Sequence, residues 1–184
     1  MRLFKGIVLA LAVVFMAVNL SACGYSASGA NLPAGIKTIH VSPFKNRIDI
    51  TSEVTTFNRY RSYRPLLEVD IRNSVIDRFL LDGALKIDNS ENADWILEGE
   101  LVEFRKDALK YGSDDETVRE YRINIVVNLS LFDREGRIIW GEPGFTGDTT
   151  YFTQGANAKS EVTAIDDALT DLARRIVERV VEDW

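Results

Sequence analysis

The residues Glu120-Tyr121-Arg122-Ile123-Asn124-Ile125-Val126-Val127-Asn128-Leu129-Ser130-Leu131-Phe132 form the most regular stretch of the chain. Apolar or aromatic side chains occupy every second position from Tyr121 to Leu131, and polar side chains fill most of the positions between them. Because successive side chains of a strand point to opposite faces of a sheet, this alternation predicts one buried face and one solvated face. At ~3.3 Å per residue such a strand would run about 40 Å. The stretch therefore predicts a long strand around which the sheet is built.

A returning strand is expected directly after it. The residues from Asp133 to Gly136 are typical of a hairpin turn, and Ile138 to Trp140 would begin the next strand. Glu142-Pro143-Gly144 indicates a bulge or break in that strand, since proline cannot donate to a ladder of hydrogen bonds. Shorter alternating segments upstream predict three more strands, at residues 36–42, 85–87 and 95–102.

Two helices are predicted from apolar residues that recur every three or four positions. The first follows Pro65 and ends at Gly83, with Leu66, Ile76 and Leu80 beside its apolar face; the second closes the chain. The two apolar faces consist of Leu67, Ile71, Val75 and Phe79, and of Ile165, Leu169, Leu172, Ile176 and Val180. We therefore predict an α+β fold, a two-layer sandwich in which two long helices pack on one face of a mainly antiparallel sheet of four or five strands.

The N-terminal residues have the three parts of a secretory signal peptide. Arg2 and Lys5 precede an apolar run from Ile7 to Val18, and small residues precede position 23. A spanning helix needs roughly 20 apolar residues, more than this run provides. Residues 1–22 are therefore predicted to be removed. Residues 24–35 are rich in Gly, Ser, Ala and Asn, which predicts a flexible tether over residues 23–35 and a single domain over residues 36–184.

The residues Leu20-Ser21-Ala22-Cys23 resemble the lipobox of bacterial lipoproteins. The resemblance implies that the Cys23 thiol receives a diacylglycerol, that the chain is cut after Ala22, and that the new amino group is acylated. Gly24 stands where a retention signal for the inner membrane often has Asp, so the resemblance favours the outer membrane, with the domain on its periplasmic side. The alternative is an ordinary cleavage site followed by a chance cysteine.

Composition argues against several classes of function. Residues 1–22 carry only Arg2 and Lys5, so the remaining chain holds 20 basic against 28 acidic residues, a formal charge of −8 that is unsuited to nucleic acid. Cys23 is the only cysteine, and its acylation would leave no disulfide. His40 is the only histidine and has no partner motif, so we expect a structural role for it. No catalytic or metal site and no cofactor are predicted besides the covalent lipid.

One stretch of the surface is unusual for an acidic protein. Between positions 45 and 64, basic side chains alternate with aromatic ones. The guanidinium fork matches phosphate geometry, and aromatic rings suit the interface of an amphiphile, so this stretch predicts contact with a phosphorylated lipid or an anionic partner. A loop whose charges are merely solvated is the alternative. The candidate contacts are Lys45, Arg47, Arg59, Arg61 and Arg64, with Phe57, Tyr60 and Tyr63 between them.

Taken in order, the motifs of the chain resemble the LptE family of lipopolysaccharide-assembly lipoproteins over nearly the whole mature length. The resemblance depends on their order and spacing more than on any one of them. They are Cys23-Gly24-Tyr25, Leu32-Pro33, the strand from Ile36 to Val41, Pro43-Phe44-Lys45-Asn46, Leu67-Glu68 with Ile71, the helix end from Leu80 to Gly83, Ala93-Asp94 with Leu97 and Gly99, residues 120–123 and 131–133, Gly136, Ile139-Trp140, and Leu172-Ala173 in the helix that ends at Trp184.

This resemblance implies a protein without enzymatic activity that acts as plug and assembly partner of an LptD-type outer-membrane β-barrel. In that role it would help lipopolysaccharide reach the outer leaflet, and lipopolysaccharide itself is a candidate ligand. A lipoprotein scaffold of another envelope machine, such as a secretin pilot protein or a barrel-assembly accessory, is the alternative. A lipid-anchored hydrolase is a third reading, but the sequence shows no pairing of a nucleophile with a base to support it.

Overall fold

The computed structural model describes residues 32–48, 65–90, 92–112 and 116–182, and the backbone of residues 59–60. Two helices and seven strands lie in these ranges. In chain order they are β1 (Thr38–Val41), β2 (Lys45–Asn46), β3 (Arg59–Tyr60), α1 (Leu67–Asp82), β4 (Lys86–Ile87), β5 (Trp95–Tyr111), β6 (Val118–Asp133), β7 (Ile138–Phe152) and α2 (Glu161–Val181).

The sheet is mixed and open, which corrects the prediction of a mainly antiparallel sheet with four or five strands. Its main path runs β4-β1-β5-β6-β7, and β2 and β3 pair with β5 beside β1. Strands β5, β6 and β7 are antiparallel, whereas β1 is parallel to both β4 and β5, and β2 is parallel to β5. Parallel neighbours need a crossover connection, and α1 lies in the one between β1 and β4. The α+β class itself is confirmed.

The alternation that predicts β6 is confirmed in the structure. Its inward side chains are almost fully removed from water, and those between them face the other side of the sheet. The inward set is Ile123, Ile125, Val127, Leu129 and Leu131. Strand β6 pairs along its whole length with β5 on one side and β7 on the other, so these side chains lie at the centre of the core.

Strand β5 is nine residues longer than predicted, because it continues past Val102 to Tyr111. A bulge between Leu101 and Glu103 explains the difference. The extra residue shifts the inward positions, so that Leu101 and Phe104 are both buried although they are three residues apart. The alternation of buried and exposed side chains is interrupted at the bulge. The second half of the strand therefore shows no alternating pattern in the sequence.

The two helices pack against each other, and their buried faces share one core with the inner face of the sheet. The predicted apolar face of α1 is confirmed, as is its end at Gly83, which adopts φ 77°. Leu66 and Leu80 are exposed, however, so α1 also carries apolar side chains on its solvent side. Helix α2 buries one face only, and Ser160 caps its first turn by accepting a hydrogen bond from the Thr163 N–H at 3.1 Å.

Helix α2 lies very close to the edge strand β7. A Cβ atom added at Gly147 would lie 2.6 Å from the backbone N and Cα of Leu172. In addition, the Asp171 carboxylate accepts a hydrogen bond of 3.2 Å from the Asp148 N–H. The helix therefore covers part of the edge of β7, where unpaired backbone groups would otherwise be open to another strand.

The hairpin turn between β6 and β7 and the bulge in β7, both predicted from the sequence, are confirmed. At the hairpin, the Gly136 N–H donates to the Asp133 carbonyl at 3.0 Å. At the bulge, β7 has one residue more than β6 between the pairs Val127–Phe145 and Leu129–Glu142. The hairpin turn fixes the register of the two strands, and the bulge leaves the core positions on both sides of it facing inward.

Asp94 fastens the start of β1 to the start of β5. Its carboxylate accepts hydrogen bonds from the backbone N–H groups of Lys37 (2.9 Å) and Thr38 (3.0 Å), from the Thr38 hydroxyl (3.0 Å), and from Arg134 (2.8 Å). The hydrogen bond from Lys37 is the largest cause that lowers the pKa of Asp94 below its usual value. The charged form of Asp94 is therefore favoured in the folded state.

The approach of α2 to β7 predicts that Gly147→Ala is strongly destabilising. The added methyl group would meet helix backbone, which cannot rotate away as a flexible side chain could, so we expect a loss of roughly 1–3 kcal/mol in the free energy of unfolding. Gly141→Ala is the matched control in the same strand, since its Cβ would meet nothing closer than 3.5 Å. Urea unfolding of both variants measures the difference, and equal losses would contradict the close contact.

The surroundings of Asp94 predict a stability difference that depends on pH. Because its folded pKa lies below the unfolded value of about 3.9, the contribution of Asp94 is complete at neutral pH and is lost as the pH falls through the folded pKa. Asp94→Asn should therefore cost roughly 1–3 kcal/mol near neutral pH and much less in strong acid. Urea titrations across the acid range test this, and a cost independent of pH would rule out the carboxylate charge as its origin.

Candidate functional site

The structure places two of the five predicted contact residues in ion pairs. The Lys45 ammonium lies 3.8 Å from the Glu98 carboxylate, and Arg47 donates from Nε and Nη2 to Glu100 at 3.2 Å each. Both acids belong to the outer face of β5, which the helices do not cover. The charges of Lys45 and Arg47 are therefore each balanced by a glutamate on the outer face of β5.

Of the other three predicted contacts, the structure describes only the backbone of Arg59. Arg59 belongs to β3, whose backbone pairs with Asp107 of β5, and nothing is described of its side chain. Arg61 and Arg64 lie outside the described residues, as does the acylation site Cys23. Exposed ion pairs such as Arg47–Glu100 are worth about 1 kcal/mol or less, so a ligand could open them. A role of this stretch in binding stays a prediction.

The only histidine has a structural contact. His40 lies on β1, and its Nδ1 is 2.9 Å from the carbonyl oxygen of Asp88, at the end of the neighbouring β4. In the part of the chain that the structure describes, no group of three His, Cys, Asp or Glu side chains could hold a metal ion. His40 thus joins two strand ends.

A cleft of about 390 Å³ opens at the end of the sheet where β5 finishes and β6 begins. It is lined by Lys110 of β5, Arg119 of β6, Phe152 of β7 and the following residues Gln154 and Gly155. We call this end of the molecule the cleft end. Two cationic side chains, an aromatic ring and an amide here face one concave surface, a combination that suits an anionic group attached to an apolar body.

Backbone hydrogen bonds hold the wall of the cleft. The Thr153 N–H donates to the Arg119 carbonyl at 3.0 Å, and the Thr153 hydroxyl donates to the Val118 carbonyl at 2.9 Å. On the other side of the loop, the Lys159 N–H donates to the Phe152 carbonyl at 2.9 Å. The loop is therefore tied at both ends to the strands that carry Arg119 and Phe152, so the cleft is preformed.

A cluster of charged and aromatic side chains joins the cleft end to α2. Lys106 lies 2.5 Å from Glu161, the first residue of α2, and 4.5 Å from the centroid of the Tyr121 ring, which stacks on Tyr151 at 5.7 Å. Burial is the largest single influence on the pKa of Lys106 and lowers it, but the interactions with Glu161 and Tyr151 together outweigh burial, so the pKa is raised. Burial also raises the pKa of Tyr151. Lys106 is therefore charged at neutral pH and is engaged in holding the helix.

Apolar side chains are exposed around the same end. Besides Phe152, the exposed residues include Leu109 and Tyr111 of β5 and Val162 in the first turn of α2. Sequence reasoning missed Lys110 and Arg119, because it ended β5 at Val102 and so did not place a long hairpin with these two cations near its tip. The cleft thus brings two cationic side chains close to exposed apolar ones in a protein whose net charge is negative.

The opposite end of the sheet carries a second concavity of about 270 Å³, beside Ile36 and the hairpin from Asp133 to Arg137. Its arginines are already paired, Arg134 with Asp94 at 2.8 Å and Arg137 with Asp133 at 2.6 Å. We call this the tether end, because the described chain begins here at Leu32. The span of β5 separates it from the cleft end by about 50 Å.

Within the described residues no helix is long and apolar enough to cross a membrane.

Solved structures with a similar fold include protein XCC0632 from Xanthomonas campestris, with 13% identity, 83% of this chain and 88% of that chain covered, and a TM-score of 0.55. A minor lipoprotein from Acinetobacter baumannii has 14% identity, coverages of 82% and 95%, and a TM-score of 0.48. Rare lipoprotein B from Shewanella oneidensis has 11% identity, coverages of 78% and 92%, and a TM-score of 0.40. At these identities the first supports the fold alone, and the other two are too distant to carry an argument.

No curated protein matches the chain in sequence. The family model described as "LptE: Lipopolysaccharide-assembly" matches residues 36–183, which include every described strand and helix. The match covers far more than half of the 184 residues and confirms the resemblance found in the motifs. The chain therefore belongs to the LptE family of lipopolysaccharide-assembly proteins.

Proposed function

We propose that this chain is an outer-membrane lipoprotein without enzymatic activity, anchored through acylated Cys23, that serves as plug and assembly partner of an LptD-type β-barrel translocon. The observation that carries the proposal is membership of the LptE family over residues 36–183. The lipobox at Leu20–Cys23 supplies the anchor, and the domain lies on the periplasmic side of the membrane. In this role the protein acts by shape and surface, and it requires no cofactor other than the covalent lipid.

The shape of the domain supports a role as a plug. The three long strands form a layer about 50 Å long, one face of which is covered by both helices. Its other face presents mostly polar side chains, among them Glu98, Glu100, Asn124, Asn128 and Ser130. The lumen of a large transmembrane barrel is polar and water-filled, so a body with such a surface can occupy it without burying unpaired polar groups in an apolar environment.

The cleft end supports direct contact with lipopolysaccharide. Phosphate groups on its glycolipid part would pair with Lys110 and Arg119, and acyl chains would contact Phe152 and the neighbouring apolar side chains. In this proposal the cleft takes precedence over the basic stretch from Lys45 to Arg64, because Lys110, Arg119 and Phe152 line one concave surface together.

A scaffold role in another envelope complex is the competing function, and co-purification separates the two. Tagged protein should be extracted from native membranes with mild detergent and its partners identified by mass spectrometry. We expect a large outer-membrane barrel of the LptD type in stoichiometric amount. Recovery of a secretin or of the barrel-assembly machinery in its place would favour the competing function and refute the proposed one.

The anchor predicts that Cys23→Ala is released from the membrane. Each buried methylene of an acyl chain adds about 0.8 kcal/mol of membrane affinity, so removal of all chains should shift most of the protein to the soluble periplasmic fraction unless the barrel retains it. Fractionation with and without the barrel separates these two causes. Mass spectrometry of the mature N-terminus is the direct control, and acyl chains found on the Cys23→Ala chain would refute the anchor.

The cleft predicts that Lys110→Gln combined with Arg119→Gln weakens lipopolysaccharide binding. Loss of two charge-assisted contacts should reduce the affinity by about tenfold or more. Arg59→Ser with Arg61→Ser and Arg64→Ser is the comparison variant, which tests the basic stretch with the same assay. Binding to immobilised lipopolysaccharide measures both. If only the second variant loses affinity, the basic stretch binds the glycolipid and the cleft does not.

A further inference from the structure

Helix α1 carries apolar side chains on both of its sides. One side, with residues four apart, belongs to the core described above. The other side is open to water: Val69 is 45% exposed and Leu80 63%, and Ile76 between them is only partly buried. A helix that is apolar all round is normally covered on both sides. The core covers one side of α1, so the second side needs a partner of its own.

The exposed side has the spacing of a coiled-coil seam. Its residues follow one another at intervals of three or four, which gives the alternating a and d positions of a heptad repeat. The first of them precedes the helix with φ 65°, a left-handed conformation that is unfavourable for leucine, and is still 63% exposed. We call this series the α1 seam; it consists of Leu66, Val69, Asn73, Ile76 and Leu80.

The surroundings of the α1 seam indicate which partner it fits. The lumen of a large barrel is polar, so it offers no match for a row of apolar side chains. Asp70 and Asp77 flank the seam along one side, which disfavours an anionic phospholipid surface. A helix with the same spacing would interlock with the seam. Of the two helices that the structure describes, only α1 exposes such a series, so the matching surface is α1 of a second copy of the chain.

The polar groups of the α1 seam favour a parallel pair in register. Asn73 lies in the middle of the seam at an a position, where it would face its counterpart in the second copy and hydrogen-bond to it. In a parallel pair Arg72, at a g position, faces Asp77 of the second copy at the following e position. A hydrogen bond of 2.9 Å from the Arg72 Nε to the Val41 carbonyl holds this guanidinium beside the helix. One such ion pair would form on each side of the seam.

An antiparallel pair is disfavoured by the acids of α1. It would bring Asp70 of each helix against Asp77 of the other, and like charges so placed are destabilising. In a parallel pair the two acidic edges lie on opposite sides of the seam. The remaining charged residues of the helix do not decide between the two arrangements, because Glu68 and Asp82 occupy c positions and Arg78 an f position, outside the seam.

The direction of α1 in the domain also favours the parallel pair. The helix lies in the crossover between the parallel strands β1 and β4, so its last turn lies where those strands begin, at the tether end. Two parallel copies of α1 therefore have their tether ends on the same side. This is the arrangement that two chains acylated in one leaflet require.

We infer that anchored chains without a barrel partner associate as parallel homodimers through the α1 seam. The inference rests on the proposed anchor and goes beyond the proposed plug, in which each barrel holds one chain, so a chain leaves the pair when a barrel takes it up. A helix of 16 residues is about 24 Å long, and a pair of that length buries less than the roughly 1,200–2,000 Å² of a stable interface. The pair therefore forms on the membrane, where the anchor confines both chains to one plane, and not in dilute solution.

Disulfide trapping tests the pair in the full lipidated chain, because acylation of Cys23 leaves an introduced cysteine as the only free thiol. Leu80→Cys places a thiol at an a position, where the two copies of a parallel pair face each other within reach of a disulfide. Leu81→Cys is the matched control, since Leu81 is the next residue, is 81% exposed and lies outside the α1 seam. In oxidised membranes of cells that produce the chain in excess of the barrel, we expect about fivefold or more disulfide-linked dimer at position 80 than at position 81.

Equal linkage at positions 80 and 81 would overturn the inference, because it would indicate random collision on the membrane. Linkage of Asn73→Cys without linkage of Leu80→Cys would overturn the parallel arrangement, since an antiparallel pair also brings position 73 against itself. Protection of position 80 from a water-soluble thiol reagent without dimer would show that another surface covers the α1 seam, and would refute the inference too.

Production of the barrel together with the chain separates this inference from the proposed function. Linkage at position 80 should fall as the barrel takes up the chain, and linkage that stays constant while the barrel co-purifies would refute the homodimer as the form without a barrel. A chain that co-purifies with no barrel refutes the proposed plug, whereas the comparison of positions 80 and 81 still decides the homodimer.

Discussion

The burial of one face of β6 is the interaction on which the rest of the structure depends. Five apolar side chains from Ile123 to Leu131 are withdrawn from water between the strands on either side and the two helices. Burial of each is worth roughly 1.5–3 kcal/mol, so this one face contributes an amount comparable with the whole net stability of a typical domain. Strands β5 and β7 extend the sheet on both sides of β6, and α2 packs over its apolar face.

Covering this face constrains the neighbours of β6 closely. The helix can lie on β7 only where Gly147 leaves room for the backbone of α2 at Leu172. The bulge in β7 around Pro143 keeps Trp140 and Phe145 on the inner side, where both pack against the core. Most of these contacts join residues far apart in the chain, so the sheet and helices gain their stability together and not element by element.

The length of the strands gives the molecule two ends with different chemistry. The β5–β6 hairpin reaches past the start of α2, and near its tip Lys110 and Arg119 flank a concave surface next to exposed apolar side chains. At the other end, ion pairs of Arg134 and Arg137 neutralise the hairpin before β7, and the chain toward Cys23 departs. The two ends of the sheet thus differ in charge pairing and in the shape of their surface.

The sequence alone determined the elements with an unbroken period and the signals that depend on consecutive residues. The alternation in β6, the four-residue spacing in α1, the hairpin at Asp133 and the resemblance of residues 20–23 to a lipobox are of this kind, because each depends on a few neighbouring residues. The order of these motifs was also enough to indicate the LptE family.

Three features were decided only by the tertiary structure. Strand β5 continues past Val102 because β6 pairs with it beyond a bulge, and the bulge erases the period. The direction of β1 depends on the crossover through α1, which no local pattern records. The cleft brings together Lys110, Arg119 and Phe152 from three strands, and only pairing over long sequence separations can place such residues side by side.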